Sequence, residues 1–351
     1  MQSYACLISD FDHLLTESSF ERVIFVRDPG ARCLAILAIH DTSRGPAFGG
    51  IRRHRYQTPT QALADVLRLA RAMTLKAALA KIPGGGGKIV LLDRPDLDRA
   101  AAYRRIGKAV EQLAGALYTG PDVGTEDADL EQVATATCYV TRPSRIGPGA
   151  LAEATATGVL AGIRAVAERL GFPGLTGVHV AVQGVGEVGA RLARALLGSG
   201  ARVTIADADA KRCAVLAAEN SGMEVVAPGA IMALPCDVFA PCAFGGIIHD
   251  LTMQGFKARA IAGSANNVLS APIHGQRLFA KGVLYAPDFV VNAGALIHGA
   301  LWHLDGIAPP KERIEEIGPR VGGILDRARS ENLPPEVVAE RMAKENLGAR
   351  S

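Results

Sequence analysis

The sequence predicts an α/β protein of two domains, the second of which contains a doubly wound parallel sheet. Its length of 351 residues exceeds the roughly 100–200 residues of a typical single domain. In the second half, short apolar runs alternate with segments of helical periodicity, a pattern typical of parallel sheets covered by helices. A glycine motif follows the first of these runs and opens a helical segment, as in folds that bind dinucleotides.

Composition favours a globular protein and excludes some partners. Hydrophobic residues make up 49% of the chain and charged residues 21%, so we expect a sizeable core and little disorder. The formal net charge is +3 without a block of lysine and arginine, so nucleic acid is not an expected partner. The short arginine-rich stretch Arg52–Tyr56 is predicted to be a solvated turn.

Neither a membrane segment nor a metal site is expected. The chain has no run of 18 apolar residues, and residues 1–15 contain acidic residues without an apolar core, so we expect no membrane contact and a cytoplasmic protein. The six cysteines show no CxxC or Cys/His metal spacing, so we expect no metal and reduced, buried thiols.

The first half contains strand and helix signals. Two strands are predicted within residues 22–41, on either side of a turn at Asp28–Gly30. A helix is predicted to begin at Pro59, with Thr58 as its N-cap, and to extend to about Lys76. Two further helices are predicted, one over residues 98–118 and one from Thr125.

Proline and glycine accumulate between residues 141 and 153, where we place the boundary between the domains. We expect residues 1–140 to form an N-terminal α/β domain for substrate binding and oligomerisation, with residues 333–351 returning to pack on it. Residues 141–332 are expected to form the cofactor-binding domain, with an active-site cleft between the two domains.

The second half is predicted to contain six parallel strands, which are short apolar runs with helical segments between them. The runs are VHVAVQG (178–184), ARVTIAD (201–207), MEVVA (223–227), CDVFAPCA (236–243), RAIAGSA (259–265) and VLYAPD (283–288).

The glycine motif is Gly184-x-Gly186-x-x-Gly189, between the first of these strands and a helix predicted over Ala190–Leu197. Such glycines allow a tight turn and close approach of a pyrophosphate to the helix N-terminus, which indicates a Rossmann-type dinucleotide site.

Acidic and strand-end residues complete the predicted cofactor site. Asp207 ends the next strand, close to the ~20-residue spacing of the carboxylate that binds the adenosine ribose. This acid favours NAD over NADP, although Lys211 and Arg212 keep NADP possible. Since ligands bind at the carboxyl ends of parallel strands, Phe239–Gly246 and Gly263–Asn267 are also expected at this edge.

The four glycines Gly84–Gly87 precede Lys88, but Ile89 stands where a P-loop would have serine or threonine. We therefore interpret the run as a wall on the substrate side, where missing side chains let a small substrate reach Lys88. With Lys76 and Asp122, Lys88 forms a possible acid–base set: one lysine could exchange protons while the other holds a carboxylate.

Eight motifs in this order resemble the Glu/Leu/Phe/Val dehydrogenase family over about residues 22–345. They are GPAFGG, DVLRLARAMTLKAALA, GGGK, TGPDVGT, VAVQGVGEVG, CDVFAPCAFGGII, IAGSANN and YAPDFVVNAG. The resemblance implies an oxidoreductase that uses NAD to deaminate an L-amino acid to a 2-oxo acid and ammonia, or runs the reverse reductive amination. It also implies a homo-oligomer.

Residue roles follow from the matching motifs. The resemblance implies that Lys88 activates water and polarises the reacting oxygen, and that Asp122 shuttles protons to and from the amino group. It implies that Lys76 binds the substrate carboxylate, with help from Gly49, Gly50 and Asn267. It assigns cofactor contacts to Thr155, Cys242, Ala243 and Asn266, in addition to the glycine motif with Glu187 and Val188, and Asp207.

The family resemblance places the wall of the side-chain pocket at Phe48, Gly120, Leu296 and Gly299. None of these residues is charged, which disfavours glutamate because its distal carboxylate would lack a partner. Phenylalanine is favoured, and leucine, valine or tryptophan remain alternatives.

Two other classes of protein fit the sequence less well. A 2-hydroxy-acid dehydrogenase would normally use a histidine beside an arginine, whereas the informative positions here hold two lysines and an aspartate. A non-catalytic NAD-binding protein would be expected to lose Lys76, Lys88 or Asp122, and all three are present.

Overall fold

The computed structural model describes residues 20–142 and 151–348. The chain divides into two compact units, residues 1–149 and 150–351, and each is described by itself. The predictions for residues 1–15 and Cys6, and most of the expected boundary segment at 141–153, lie outside the described residues.

The first unit contains six strands and three helices among its described residues. They are β1 (Arg22–Asp28), β2 (Cys33–Asp41), β3 (Ala47–Phe48), β4 (Ile51–His54), α1 (Pro59–Leu79), β5 (Gly85–Leu92), α2 (Arg99–Glu111), β6 (Leu117–Tyr118) and α3 (Asp127–Ala134). The sheet order is β1-β2-β5-β3-β6, and β4 also pairs with β5. The pairs β1/β2 and β2/β5 are antiparallel, whereas β3 and β4 run parallel to β5. The predicted hairpin within residues 22–41 is confirmed.

Both faces of this sheet are covered, because alternate residues of a strand point to opposite sides. Ile36 on β2 and Val90 on β5 belong to the core beneath α1. Leu37 and Leu91 belong to a second core that includes residues of α2 and α3. The predicted start of α1 is confirmed, since Thr58 Oγ1 accepts a hydrogen bond from the Gln61 backbone N–H at 3.2 Å.

The run Gly84–Gly87 serves internal packing, so the interpretation of these glycines as room for substrate is wrong. A Cβ atom on Gly86 would lie 2.1 Å from the backbone nitrogen of Thr74 on α1. A Cβ on Gly85 would lie 1.6 Å from the carbonyl oxygen of Asp41. The missing side chains therefore let α1 and the neighbouring backbone approach the start of β5, which is the strand that holds Lys88.

Gly86→Ala is expected to destabilise the first unit by about 1–3 kcal/mol or more, because the added methyl must push α1 away from β5. Chemical denaturation measures this as a lower midpoint. Gly174→Ala is the matched control, since a Cβ there meets no atom within 4 Å. Equal midpoints for the two variants would contradict the packing role of Gly86.

The helix predicted over residues 98–118 ends earlier, at Glu111. Ala114 (φ +48°) and Gly115 (φ +87°) adopt left-handed conformations that end the helical path. The chain then enters β6, which pairs with β3. The helix expected from Thr125 begins at Asp127.

The second unit contains a six-stranded parallel sheet in the order β12-β11-β10-β7-β8-β9. Its strands are β7 (His179–Gln183), β8 (Arg202–Ala206), β9 (Met223–Val225), β10 (Val238–Pro241), β11 (Ala260–Ile261) and β12 (Leu284–Tyr285). All six strands expected from the apolar runs are present, and the doubly wound fold is confirmed.

Ten helices accompany this sheet in residues 151–348. They are α4 (Leu151–Arg169), α5 (Glu187–Gly198), α6 (Ala210–Glu219), α7 (Asp250–Gly255), α8 (Pro272–Ala280), α9 (Asp288–Val291), α10 (Gly294–Asp305), α11 (Lys311–Glu315), α12 (Ile317–Glu331) and α13 (Pro335–Gly348). Helix α4 packs against α5, α10 and α12.

The C-terminal segment differs from its expected place. The sequence analysis predicts residues 333–351 in the first domain, but α13 packs on α12 and α8 of the second unit. The physical reason is the apolar side of α13, where Val338, Ala339 and Ala343 are fully buried. Such a pattern shows that a helix is packed but does not identify its partner.

The thiols only partly follow expectation. Cys33, Cys213 and Cys236 are buried, Cys242 is half-buried and Cys138 is exposed, and all five are free.

Across residues 20–142 and 151–348, no helix is both long and apolar enough to cross a membrane.

Candidate active site

An ion pair between Lys88 and Asp122 forms the centre of the candidate site in the first unit. Lys88 lies on β5, is only 5% exposed, and its Nζ is 2.8 Å from Asp122 Oδ2. Asp122 lies in the loop after β6, with its side chain 13% exposed. The structure therefore brings together the two residues predicted to be catalytic, although 34 positions separate them in the sequence.

Arg52 is a third member of this cluster that the sequence reasoning missed. Its Nε donates to the same oxygen, Asp122 Oδ2, at 3.0 Å, and its side chain is only 14% exposed. The prediction that Arg52–Tyr56 is a solvated turn is therefore wrong for Arg52, which lies on β4. No local sequence pattern marks Arg52 as a site residue, because its partner Asp122 lies 70 positions further along the chain.

Backbone hydrogen bonds fix the three charged residues relative to one another. On one side, the Ile89 N–H donates to the Gly50 carbonyl at 3.2 Å and aligns β4 with β5. On the other side, the Ile51 N–H donates to the Gly120 carbonyl at 2.9 Å, and the Arg53 N–H donates to the Val123 carbonyl at 3.0 Å. Each of three adjacent backbone segments thus contributes one charged side chain.

Opposing effects set the ionisation of Asp122. Burial raises the pKa of this carboxyl, but the positive charges of Lys88 and Arg52, with hydrogen bonds from Lys88 and the Val123 backbone N–H, lower it to about 2. Asp122 is therefore a carboxylate at neutral pH and balances one of the two positive charges that contact it.

Gly49 and Gly50, predicted to lie at the carboxylate end of the pocket, permit close backbone contacts. A Cβ on Gly49 would lie 1.7 Å from the Gly87 carbonyl oxygen, and one on Gly50 would lie 2.3 Å from the Pro121 carbonyl oxygen. Any larger residue here would separate β4 from its neighbours and move Arg52 away from Asp122.

The predicted pocket residues of the first unit lie next to this cluster in sequence. Phe48 is buried and stacks on Tyr118, with ring centroids 5.5 Å apart. Gly120 faces Thr141, whose Cβ would be 3.2 Å from an added methyl. Lys76 is half-buried near the C-terminal end of α1, two residues after Thr74, which contacts Gly86.

In the second unit, the glycine motif has the geometry expected of a dinucleotide loop. Gly184 adopts φ +91°, and a Cβ there would lie 2.8 Å from the Cβ of Ala243. A Cβ on Gly189 would lie 1.9 Å from the Gly184 carbonyl oxygen, so this glycine allows α5 to begin close to β7. By contrast, a Cβ on Gly186 would meet no protein atom within 4 Å.

A cofactor pyrophosphate requires open space beside the first residues of α5. Gly186 directly precedes this helix and leaves such space. Glu187 is exposed and pairs with Arg191, and Val188 is half-buried. The N-terminus of α5 offers backbone N–H groups and the positive end of the helix dipole to an anion. The loop therefore fits a dinucleotide.

Asp207 stabilises the same glycine loop by hydrogen bonding to its backbone. Its Oδ2 accepts a hydrogen bond from the Val185 N–H at 2.8 Å, and its Oδ1 accepts one from the Asp209 N–H at 2.9 Å. The carboxylate thus lies beside the glycine motif at the carboxyl end of β8, where a ribose-binding acid is expected.

The ends of β10 and β11 lie at the same edge of the sheet. Cys242 is anchored by its backbone N–H to the Gln183 carbonyl at 2.7 Å, and burial raises the pKa of its thiol. Ala243 is exposed. Asn266 and Asn267 are also exposed, and Asn267 has a positive φ of 53°.

Asn292, which was not predicted as a site residue, stabilises the loop after β11 by hydrogen bonds. It is buried, and its Nδ2 donates to Asn266 Oδ1 at 2.7 Å and to the Ser264 carbonyl at 3.1 Å. In the structure it lies between α9 and α10, a position that the sequence alone does not mark.

The remaining predicted residues lie on two helices that touch. Thr155 is buried on α4, where its hydroxyl donates to the Leu151 carbonyl at 3.0 Å. A Cβ on Gly294, at the start of α10, would lie 2.9 Å from the Cα of Thr155. Leu296 is half-buried and Gly299 buried on the same helix α10.

Comparisons with known proteins agree over most of the chain. Residues 20–139 match the family described as Glu/Leu/Phe/Val dehydrogenase, dimerisation domain. Residues 147–211 and 204–305 match the Glutamate/Leucine/Phenylalanine/Valine dehydrogenase domain.

Individual relatives span nearly the whole chain. A leucine dehydrogenase of Geobacillus stearothermophilus is 42% identical over 334 residues, which cover 93% of this chain and 90% of the relative. A phenylalanine dehydrogenase of Bacillus thermotolerans is 39% identical and covers 98% of this chain and 92% of the relative. The crystal structure of L-tryptophan dehydrogenase from Nostoc punctiforme superposes with a TM-score of 0.82 at 36% identity, covering 95% of this chain and 97% of that one.

Sequence motifs, fold, loop geometry and relatives thus point to one conclusion: this chain belongs to the Glu/Leu/Phe/Val dehydrogenase family of amino acid dehydrogenases.

Proposed function

We propose that this protein catalyses the NAD-dependent oxidative deamination of an apolar L-amino acid, with phenylalanine favoured, and the reverse reductive amination. An amino acid, NAD⁺ and water give a 2-oxo acid, ammonium, NADH and a proton. The buried Lys88–Asp122 ion pair is the observation that carries the proposal, because a proton-exchanging lysine beside a carboxylate suits chemistry at an amino-bearing carbon.

Lys88 is the proposed acid–base residue. In its charged form the ammonium group polarises the oxygen of the carbonyl or carbinolamine, and in its neutral form it takes a proton from the attacking water. Burial keeps bulk water away from Lys88 and strengthens its electrostatic effect on the substrate.

Asp122 can take up a proton only in concert with Lys88. While Lys88 is charged, the low pKa of Asp122 makes its carboxylate a poor base, and it serves as an anion that attracts the substrate ammonium group. Once Lys88 has released its proton, one of the two opposing charges is gone and burial favours protonation of Asp122 more strongly. The protonation of Asp122 therefore depends on the charge of Lys88.

The cofactor is proposed to be NAD, which supplies the acceptor for the substrate hydride when it is bound. Gly184, Gly186 and Gly189 would hold the pyrophosphate at the N-terminus of α5. Asp207 favours NAD because its carboxylate would repel a 2′-phosphate. Cys242, Ala243, Asn266 and Thr155 are proposed to complete the cofactor contacts.

In the first unit, Lys76, Gly49 and Gly50 are proposed to bind the substrate carboxylate, and Phe48 and Gly120 to contact the substrate side chain. In the second unit, Asn267 is proposed as a further carboxylate contact, and Leu296 and Gly299 as further side-chain contacts. This set carries no charge, which argues against glutamate. Leucine, valine and tryptophan remain alternatives to phenylalanine, in keeping with the names of the relatives.

The substrate class is tested by mixing the protein with NAD⁺ and each of the twenty L-amino acids near pH 10, and following NADH absorbance. Phenylalanine, leucine, valine or tryptophan should give the highest rates, and NADP⁺ should give lower rates than NAD⁺. A higher rate with glutamate would contradict the pocket assignment, and no signal with any amino acid would contradict the proposed activity.

We also propose that the chain forms a homo-oligomer, because its first unit matches a family domain described as a dimerisation domain. Light scattering of the purified protein should give a mass that is a multiple of 36.7 kDa. A mass of one chain at micromolar concentration would contradict this proposal.

A further inference from the structure

We propose that Arg52 is a positioning residue for the Lys88–Asp122 pair: it fixes the Asp122 carboxylate and favours its charged form, so that a proton taken up while Lys88 is neutral is passed on. The inference rests on the proposed roles of Lys88 and Asp122 and assigns the third charged group of the cluster.

The first step of the argument is geometric. Arg52 Nε and Lys88 Nζ both contact Asp122 Oδ2, at 3.0 Å and 2.8 Å. Arg52 reaches this oxygen from β4, whose backbone is bonded to both β5 and the loop of Asp122. Because Arg52 and Lys88 both contact Oδ2 of Asp122, we expect proton exchange with the substrate to occur at the other carboxylate oxygen, Oδ1.

A second carboxylate, that of Asp65, fixes the position of Arg52. Its Nη1 donates to Asp65 Oδ2 on α1 at 3.2 Å, and the Tyr56 hydroxyl donates to the same oxygen at 2.7 Å. Arg68 Nη2 donates to the other oxygen of Asp65 at 2.7 Å. The planar guanidinium thus joins two carboxylates, which fixes its orientation more tightly than a single contact would.

The two cations beside Asp122 differ in one chemical respect. A lysine can lose its proton during acid–base catalysis, whereas an arginine remains charged at any pH the protein survives. During the part of the reaction in which Lys88 is neutral, Arg52 is the contacting cation that still opposes protonation of Asp122. Without it, the pair would retain its proton and Lys88 would be less available as a base.

The charged groups around Asp122 are therefore Lys88 from β5 and Arg52 from β4, with Asp65 behind Arg52 and the Tyr56 hydroxyl nearby. Removing the Arg52 charge favours protonation of the pair. The acid limb of kcat/KM for deamination should then move to higher pH by about one unit or more.

Three variants test the inference. Arg52→Gln removes the charge, and should shift the acid limb upward and lower kcat/KM about tenfold or more at neutral pH. Arg52→Lys keeps the positive charge but lacks the planar guanidinium group with its several N–H donors. The acid limb of kcat/KM should therefore stay near that of the wild type, while kcat falls. Arg99→Gln is the matched control, since Arg99 pairs with Asp129 at 2.6 Å in the same unit, and it should leave the limb in place.

A measurement without turnover separates this inference from the proposed function. The infrared band of a protonated carboxyl that is absent from Asp122→Asn reports Asp122 directly. It should titrate at higher pH in Arg52→Gln than in the wild type. Folded Arg52→Gln protein with an unchanged band and an unchanged acid limb would overturn the role of Arg52. If the wild type turns over no amino acid, the proposed function fails while the infrared result still stands.

If Arg52→Gln does not fold, Asp65→Asn replaces it, because this change frees the guanidinium without removing its charge. We then expect a lower kcat with an unchanged acid limb. Wild-type kcat in Asp65→Asn would overturn the positioning role.

Discussion

Lys88→Ala is expected to lower turnover about 10³-fold while leaving the affinity for NAD nearly unchanged. The reason is chemical, because the variant loses the group that activates water and polarises the substrate oxygen. The cofactor motif lies in a different unit from Lys88. Steady-state rates and calorimetric titration with NAD⁺ measure the two effects separately.

Lys108→Ala is the control for this variant, since Lys108 is an exposed lysine on α2. It should retain wild-type turnover. Thermal unfolding must accompany the assay, because loss of Lys88 leaves the buried Asp122 with one cation fewer and should lower the melting temperature. Loss of NAD affinity equal to the loss of turnover in folded Lys88→Ala would contradict the assigned role.

Gly186→Val is expected to weaken NAD binding by at least about tenfold, which is ~1.4 kcal/mol, while the protein still folds. Gly186 has no positive φ (φ −69°, ψ −161°), and a Cβ there meets no protein atom within 4 Å, so the side chain of a substituted residue starts in open space. Its side chain would occupy the space in which we place the pyrophosphate. The cost to stability is the weaker N-cap, about 1 kcal/mol or less.

Gly198→Val at the other end of α5 is the matched control, because a Cβ there also meets no atom within 4 Å. Calorimetry should show wild-type NAD affinity for this control. Equal NAD affinities for Gly186→Val and Gly198→Val would place the cofactor elsewhere.

Much of the second unit could be predicted from the sequence because its signals are local. Each strand is a short apolar run, and the loop is marked by Gly184, Gly186 and Gly189 at fixed spacing. What the sequence lacked was the identity of the packing partners. The apolar pattern of 335–348 indicates a buried face, but only the structure shows that this face packs on α8 and α12.

The first unit shows the same limit at the candidate site. Lys88 and Asp122 were identified from motifs, but Arg52 was missed because its partner lies 70 positions away and no local pattern links them. The glycine run was misinterpreted for a related reason. A missing side chain is visible in the sequence, but the atoms that fill its space, here those of α1 and Asp41, belong to distant segments.

The most direct test of the account is NADH oxidation with an apolar 2-oxo acid, such as phenylpyruvate, in the presence and absence of ammonium. We predict oxidation that depends on ammonium and yields the L-amino acid in equal amount, because Lys88 and Asp122 are proposed to act on an amino group. Equal rates without ammonium would indicate reduction to a 2-hydroxy acid and would contradict the account.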